Sequence, residues 1–210
     1  ALFGDKVAAK RRAGELGVPT IPGTAEDTDL PAALAFFDAL PEGAAMMIKA
    51  VAGGGGRGMR AVFARAEVEQ AWTRCKSEAQ AAFGDGAVYV ERFLPAARHL
   101  EVQILGDGQG GVTQLAEREC TLQRRNQKIV EIAPAPFLDP DLRARILDAA
   151  LTMAGAADYR ALGTFEFLVD RDATRPEDAF AFMEANPRLQ VEHTVTEEVT
   201  GLDLVKLQIR

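Results

Sequence analysis

Apolar positions along the chain recur at two spacings, and these lay out the elements. Val7, Ala8, Ala9, Ala13 and Leu16 gather on one side of a helix that ends at Gly17, and residues 18–23, with Pro19 and Pro22, follow as an extended connector. Helical spacing returns through Ala33, Leu34, Phe36, Phe37 and Leu40, and Pro41-Glu42-Gly43 then turns the chain into a short apolar strand over 46–50. Beyond a glycine-rich stretch, alternation over 59–63 predicts a second strand and 66–83 another amphipathic helix. Residues 87–93, 100–105 and 111–119 read as three further strands, with a turn at Asp107-Gly108. A long helix over 139–157, with Asp139 as N-cap and Pro140 in its first turn, precedes strands over 161–169 and 180–185. The pattern is that of an α+β protein, a mostly antiparallel sheet flanked by helices, without internal repeats or low-complexity linkers. The chain opens on Ala1, directly into helix, and its helical last segment, 203–210, lacks a Gly or Pro stop, which predicts further lobes beyond both ends.

Composition narrows the class. With 210 residues, 48% of them hydrophobic, the chain can bury a sizeable core in roughly one or two domains, and disorder and collagen-like repeats are excluded. Its 24 basic and 31 acidic residues give a net charge of −7, a poor match to a nucleic-acid backbone, although a local basic pocket can still take a small anion. No apolar run reaches the ~18 residues of a membrane span, and no basic-then-apolar leader opens the chain, so no membrane is expected as a partner. Cys75 and Cys120 make neither a disulfide framework nor a CxxC pair, which points to a reducing cytoplasm.

Several segments carry candidate chemistry. Gly53-Gly54-Gly55-Gly56-Arg57-Gly58 matches G-x-G-x-x-G, yet a dinucleotide-binding loop enters a helix and this one enters a strand. The glycines suit a flap whose bare N–H groups can cover a polyphosphate, with Lys49 and Arg57 at its edges; a flexible hairpin tip is the plainer alternative. Glu166 and Glu184 interrupt apolar strands. Burying an unpaired carboxylate is expensive, so they either share a cation between neighbouring strands or point to solvent. In Asn186-Pro187-Arg188-Leu189-Gln190-Val191-Glu192-His193, Arg188 can hold a small oxyanion and Glu192 can act as a base, or the segment forms a surface salt bridge. Residues 119–128 are a dense polar run, either a solvated basic loop or a wall of donors facing an anionic substrate. His99 and His193 lack ligand-spaced partners and read as polar contacts, and Cys120 has no base beside it in sequence to make it a nucleophile.

Taken together these segments resemble the ATP-grasp domain of biotin carboxylases, the component shared by acetyl-CoA, propionyl-CoA, pyruvate and urea carboxylases. The matching phrases include Gly4-Asp5-Lys6, Ile48-Lys49-Ala50 with the glycine run, Arg98-His99, Glu117-Arg118-Glu119-Cys120, Gln123-Arg124-Arg125, Gln127-Lys128, Gly163-Thr164-Phe165-Glu166-Phe167 and the segment from Glu184 to His193. They run in family order over essentially the whole chain and match the central part of such an enzyme. The resemblance implies an ATP-grasp fold with a lid subdomain over about 20–92 bearing the glycine flap, a core sheet in the remainder, and N- and C-terminal lobes outside the chain. It implies that Lys6 and Lys49 hold ATP phosphates, Gly55 and Gly56 cover them, Glu91, Arg92 and Leu94 lie along the adenine, and His99, Gln123 and Asn126 lie near the ribose. Glu166, Glu184 and Asn186 are the implied ligands of Mg²⁺ or Mn²⁺. Arg188, Gln190 and Val191 are implied to position bicarbonate, Lys128 to stabilise developing charge and Glu192 to take the bicarbonate proton. The implied activity is that of a ligase: carboxyphosphate forms and releases CO₂ and phosphate, the phosphate takes the proton of the biotin ureido nitrogen, and that nitrogen, on a carrier domain, captures CO₂ for use by a carboxyltransferase component. A homo-oligomer is compatible with this.

Asn126 stands where many members carry His, as in some branches that include urea carboxylases; Ala52 replaces a frequent glycine; and Ile132 after Glu131 resembles pyruvate carboxylases. The final acceptor stays open. The synthetase half of carbamoyl-phosphate synthase shares the architecture and also phosphorylates bicarbonate, and ammonia-dependent ADP formation would mark it. A non-catalytic nucleotide-binding or dimer-forming module is the third alternative, against which Lys49, Lys128, Glu166, Glu184, Arg188 and Glu192 all speak. With flanking lobes outside the chain, these residues alone are expected to bind nucleotide better than they carboxylate free biotin.

Overall fold

The computed structural model describes residues 3, 6–24, 27–52, 58–171, 173 and 179–209. They fall into two compact units, one of residues 21–95 with 125–127 and a larger one of 1–20, 96–124 and 128–210.

In the smaller unit, strands β1 (Ala45–Ala50), β2 (Met59–Val62) and β3 (Val88–Phe93) form an antiparallel sheet in the order β2-β1-β3. Helices α2 (Leu30–Asp38) and α3 (Val68–Phe83) cover one face, where Met46, Ile48, Val62, Val88 and Val90 meet Ala33, Val68 and Cys75. Asp29 caps α2 by accepting from the Ala32 amide at 2.8 Å, and α3 stops at Gly84, whose φ of 74° suits glycine. Alternation turns Lys49 and Glu91 to the other face. Residues 22–24 and 27–28 lie along the outer edge of β3, with hydrogen bonds from the Thr24 amide to the Val90 carbonyl (2.8 Å) and from the Arg92 amide to the Pro22 carbonyl (2.8 Å). The flap residues Gly53 to Arg57, with Gly55 and Gly56 among them, lie outside the described residues, as do Gly4 and Asp5.

The larger unit contains α1 (Lys6–Glu15), β4 (Arg98–Asp107), β5 (Val112–Arg124), all but the first residue of β6 (Gln127–Ile132), α4 (Pro140–Gly155), β7 (Arg160–Val169), β8 (Phe180–Asn186), α5 (His193–Thr200) and α6 (Leu204–Ile209). Its five strands lie in the order β6-β5-β4-β7-β8. Leu100, Val102, Ile104, Phe165, Phe167 and Phe182 point to a core closed by Ala9 and Ala13 of α1 and by Ile146, Ala150 and Met153 of α4. Phe167 packs edge-on against Phe180 and Phe182, with ring centroids 5.9 and 5.8 Å apart.

Two expectations change. Residues 119–128 are not a loop: β5 runs on to Arg124, turns through Arg125 and Asn126 at φ 52° and 62°, and returns as β6. Two successive left-handed residues give the hairpin turn that matches the twist of paired strands. Leu122, Ile129, Val130 and Ile132 are exposed on this hairpin, so no buried-exposed alternation marks it. The turn after β4 is wider than a two-residue Asp-Gly turn, because the Asp107 carboxylate accepts from the amides of Gln109 (2.7 Å) and Gly111 (2.9 Å).

Candidate active site

The same alternation that fills the core of the larger unit turns His99, Glu101 and Gln103 of β4, Arg118 and Cys120 of β5, and Thr164 and Glu166 of β7 to the opposite face of the sheet. Strand register then aligns them. Arg118 stands opposite Glu101, Glu101 opposite Glu166 and Glu166 opposite Glu184, so one row across four strands reads Arg-Glu-Glu-Glu. Glu184 joins this row through an irregularity: Glu166 pairs with Glu184 but Phe167 pairs with Phe182, leaving Met183 as an extra residue. Strict alternation from Phe182 would drive Glu184 into the core, and the bulge turns Glu184 and Asn186 over instead.

Carboxylates facing one another across strands repel, and cations between them decide the site. Lys128, from β6, places Nζ 2.5 Å from Glu101 Oε2, 2.6 Å from Glu192 Oε1 and 3.5 Å from Glu166 Oε1. Lys6 Nζ lies 2.7 Å from Glu184 Oε2. Arg118 Nε donates to Glu101 Oε1 at 2.6 Å, and its Nη1 donates to Gln103 Oε1 (2.9 Å) and Thr196 Oγ1 (2.8 Å). His99 Nε2 lies 2.5 Å from Glu166 Oε2, and its Nδ1 lies 2.8 Å from Gln123 Nε2, so His99 and Gln123 orient each other. Burial alone would lower the pKa of Lys128, but Glu166 and Glu101 outweigh it and hold the ammonium well above its ordinary value. Burial, with Glu101 beside it, pushes the Cys120 thiol far up, which removes it as a nucleophile.

Glu166, Glu184 and Asn186 fit a hard divalent cation. Two carboxylates share one face on neighbouring strands, and Asn186, whose Nδ2 donates to Glu166 Oε1 at 2.6 Å, keeps its carbonyl oxygen as a further ligand. Glu101, Cys120 and Glu192 also bring ligand atoms within 4.8 Å of one another, but there the Lys128 ammonium already supplies the cation.

After β8 the chain buries Gln190 and Glu192 and leaves Arg188 and Val191 exposed. Gln190 Nε2 is buried without a hydrogen-bond partner among the described residues, a costly arrangement for a donor unless it serves a ligand. Arg188 reaches the Leu189 carbonyl at 3.3 Å and forms no salt bridge among the described residues, so the surface ion pair weighed as the alternative is not made. In the smaller unit Lys49 is paired with Glu91, Arg92 gives its amide to Pro22, and Leu94 follows the end of β3, half-buried. Asn126 occupies the hairpin turn, where its left-handed backbone is a conformational requirement in itself.

Glu101, Gln103 and Thr196 have no place in the sequence reading, and Arg118 enters it only within the matching phrase Glu117-Arg118-Glu119-Cys120, without a role. A signal existed for Glu101 and Arg118: charge interrupting an apolar strand, as at Glu166, yet both pass for the polar half of an alternating strand.

A sequence profile of the family described as the carbamoyl-phosphate synthase L chain, ATP binding domain, matches residues 5–210. The chain belongs to this family. It is 52% identical over 211 residues to pyruvate carboxylase 1 of Caenorhabditis elegans and 47% identical over 208 residues to pyruvate carboxylase of Bacillus subtilis. These matches cover 100% and 99% of the chain but only 17% and 18% of the relatives, so the chain spans under a fifth of their length. Among solved structures, biotin carboxylase from Campylobacter jejuni in complex with β,γ-ATP superposes with a TM-score of 0.90 at 43% identity, over 99% of this chain and 45% of that one. The biotin carboxylase domain dimer of Hydrogenobacter thermophilus 2-oxoglutarate carboxylase, in complex with MgADP and bicarbonate, gives 0.91 at 40% identity over 100% and 45%. The family member described here therefore has the α+β ATP-grasp fold. Among its described residues no helix is long and apolar enough to cross a membrane.

Proposed function

We propose that this chain is the ATP-binding domain of a biotin carboxylase, in which ATP phosphorylates bicarbonate and the resulting carboxyphosphate delivers CO₂ to biotin. The observation that carries the proposal is the contact of Lys128 Nζ with Glu192 Oε1 (2.6 Å) on the sheet face that also holds Glu166, Glu184 and Asn186. A base, a charge-stabilising ammonium and a cation-binding carboxylate pair converge there. Arg188, Gln190, whose Nε2 has no hydrogen-bond partner among the described residues, and Val191 position bicarbonate; Glu192 removes its proton as a bicarbonate oxygen attacks the γ-phosphorus and the bond to ADP breaks; Lys128 stabilises the charge that develops. Mg²⁺ or Mn²⁺, held by Glu166, Glu184 and Asn186, supplies charge neutralisation on the transferred phosphoryl group. Lys6, Lys49, Gly55 and Gly56 serve the phosphates, Glu91, Arg92 and Leu94 the adenine, and His99, Gln123 and Asn126 the ribose.

Within this proposal residues from about 20 to 92 act as a lid and the remainder as the core, with flanking lobes supplied by a longer parent. Biotin arrives on a carrier domain, a carboxyltransferase uses the product, and the parent assembles with copies of itself. The MgADP and bicarbonate of the Hydrogenobacter thermophilus structure support the substrates. Cys75 and Cys120, both free and buried, support a reducing cytoplasmic location. The test is calorimetric titration with ATP and Mg²⁺, beside Lys49→Ala, followed by an ADP-release assay. Saturable binding lost in the variant, with ADP release that depends on bicarbonate and not on ammonia, is expected. A folded chain that binds no ATP overturns the nucleotide site, and ammonia dependence shifts the reaction to carbamoyl-phosphate synthesis.

A further inference from the structure

We infer that Arg118 is a positioning residue that fixes the Lys128–Glu192 pair and sets how much of the Lys128 charge is left for the bicarbonate-derived anion. The inference rests on the carboxylase proposal above. Arg118 is 0% exposed, so its Nη2, which has no hydrogen-bond partner among the described residues, is sealed off from solvent rather than open to a substrate. Packing does not explain it, because an apolar side chain of similar volume fills a core as well or better than a buried ion pair. Its bonds lead in two directions. Through Nε it holds Glu101 Oε1, while the other oxygen of the same carboxylate holds Lys128 Nζ at 2.5 Å. Through Nη1 it holds Thr196, which lies one turn along α5 from Glu192, the residue at the N-cap of that helix. One guanidinium thus anchors the ammonium on one side and the helix carrying the base on the other.

The electrostatic consequence follows from sharing. A carboxylate divided between two cations holds each less tightly than it would hold one alone. Remove the guanidinium charge and the whole of Glu101 falls on Lys128, drawing the ammonium toward β4 and away from Glu192 and any bound anion. Three carboxylates, Glu101, Glu166 and Glu192, then face a single ammonium, a field that disfavours an incoming anion.

The test compares Arg118→Lys, Arg118→Gln and Thr196→Val with the parent chain in two measurements. In bicarbonate-dependent ADP release, kcat/KM for bicarbonate is expected to fall about tenfold or more in Arg118→Gln and about threefold in Thr196→Val, with KM for ATP within about twofold and partial recovery in Arg118→Lys. In ¹⁵N NMR of the six lysine ammonium groups, the Lys128 signal, assigned by its loss in Lys128→Arg, is expected to move in each variant while the other five stay in place. Unchanged bicarbonate kinetics together with an unmoved Lys128 signal in any folded variant overturns the inference. If Arg118→Gln fails to fold, Thr196→Val, which leaves the guanidinium in place, decides. If the parent chain shows no bicarbonate-dependent ADP release, the carboxylase proposal fails, and the Lys128 signal alone decides the role of Arg118.

Discussion

Replacing Lys128 by Met keeps an unbranched side chain one atom shorter and deletes its charge, leaving Glu101 and Glu192 facing each other without the ammonium they share at 2.5 and 2.6 Å. Two unit charges about 4 Å apart interact by about 4 kcal/mol at an effective dielectric of about 20, and breaking a buried pair by removing one partner costs roughly 3–5 kcal/mol. A loss of that size is expected at about pH 8, measured by urea denaturation followed by circular dichroism. The pH dependence separates this from a packing defect. In the parent, the Lys128 pKa is raised in the fold, so its contribution is complete below the ordinary value of 10.5 and is lost only as pH rises through the higher folded value. Between about pH 5 and 9 that contribution is therefore flat. The deficit of the variant should therefore keep one size from about pH 5 to 9 and narrow only as pH rises toward the folded Lys128 pKa, where a packing defect would persist. A loss under about 1 kcal/mol at about pH 8 would refute the view that the ammonium holds this cluster together.

Glu166→Gln and Glu184→Gln should each weaken Mn²⁺ binding by about tenfold or more, read from the free Mn²⁺ signal in electron paramagnetic resonance; undiminished affinity would place the cation elsewhere. At the hairpin turn, Asn126→Gly should be nearly neutral while Asn126→Val, with φ held at 62°, should cost roughly 1–2 kcal/mol in thermal or urea unfolding. Equal stability of the two variants would contradict the left-handed turn.

Strong periodicity made most of the fold legible. The helix from Pro140 and the strands around Phe165 and Phe182 follow from spacing, because burial on one side repeats with the element. The β5–β6 hairpin escaped for the opposite reason, since Leu122, Ile129, Val130 and Ile132 lie exposed beside polar neighbours and leave no alternation of burial to read. Glu166 and Glu184 were visible as charges in apolar strands, but their alignment required a register, and for Glu184 an extra residue at Met183, that no local pattern encodes. Arg118 and Glu101 stayed hidden because their meaning lies in each other and in Lys128, on three different strands.

The two margins of the five-stranded sheet are guarded by different means, which bears on self-association. Along β8 the connector is already seated, with a parallel bridge from Thr20 to Phe182 and a hydrogen bond from the Phe182 amide to the Pro19 carbonyl at 2.7 Å, so that margin offers little to a foreign strand. β6 ends the sheet on the other side with Ile129, Val130 and Ile132 exposed, the composition from which intermolecular strand addition and aggregation start. Its protection is brevity and charge: six residues, with Lys128 and Glu131 among the apolar ones, halted by Pro134 and Pro136, which cannot extend a ladder. The strand that delivers the central ammonium is thus also the point at which this sheet is most open to growth.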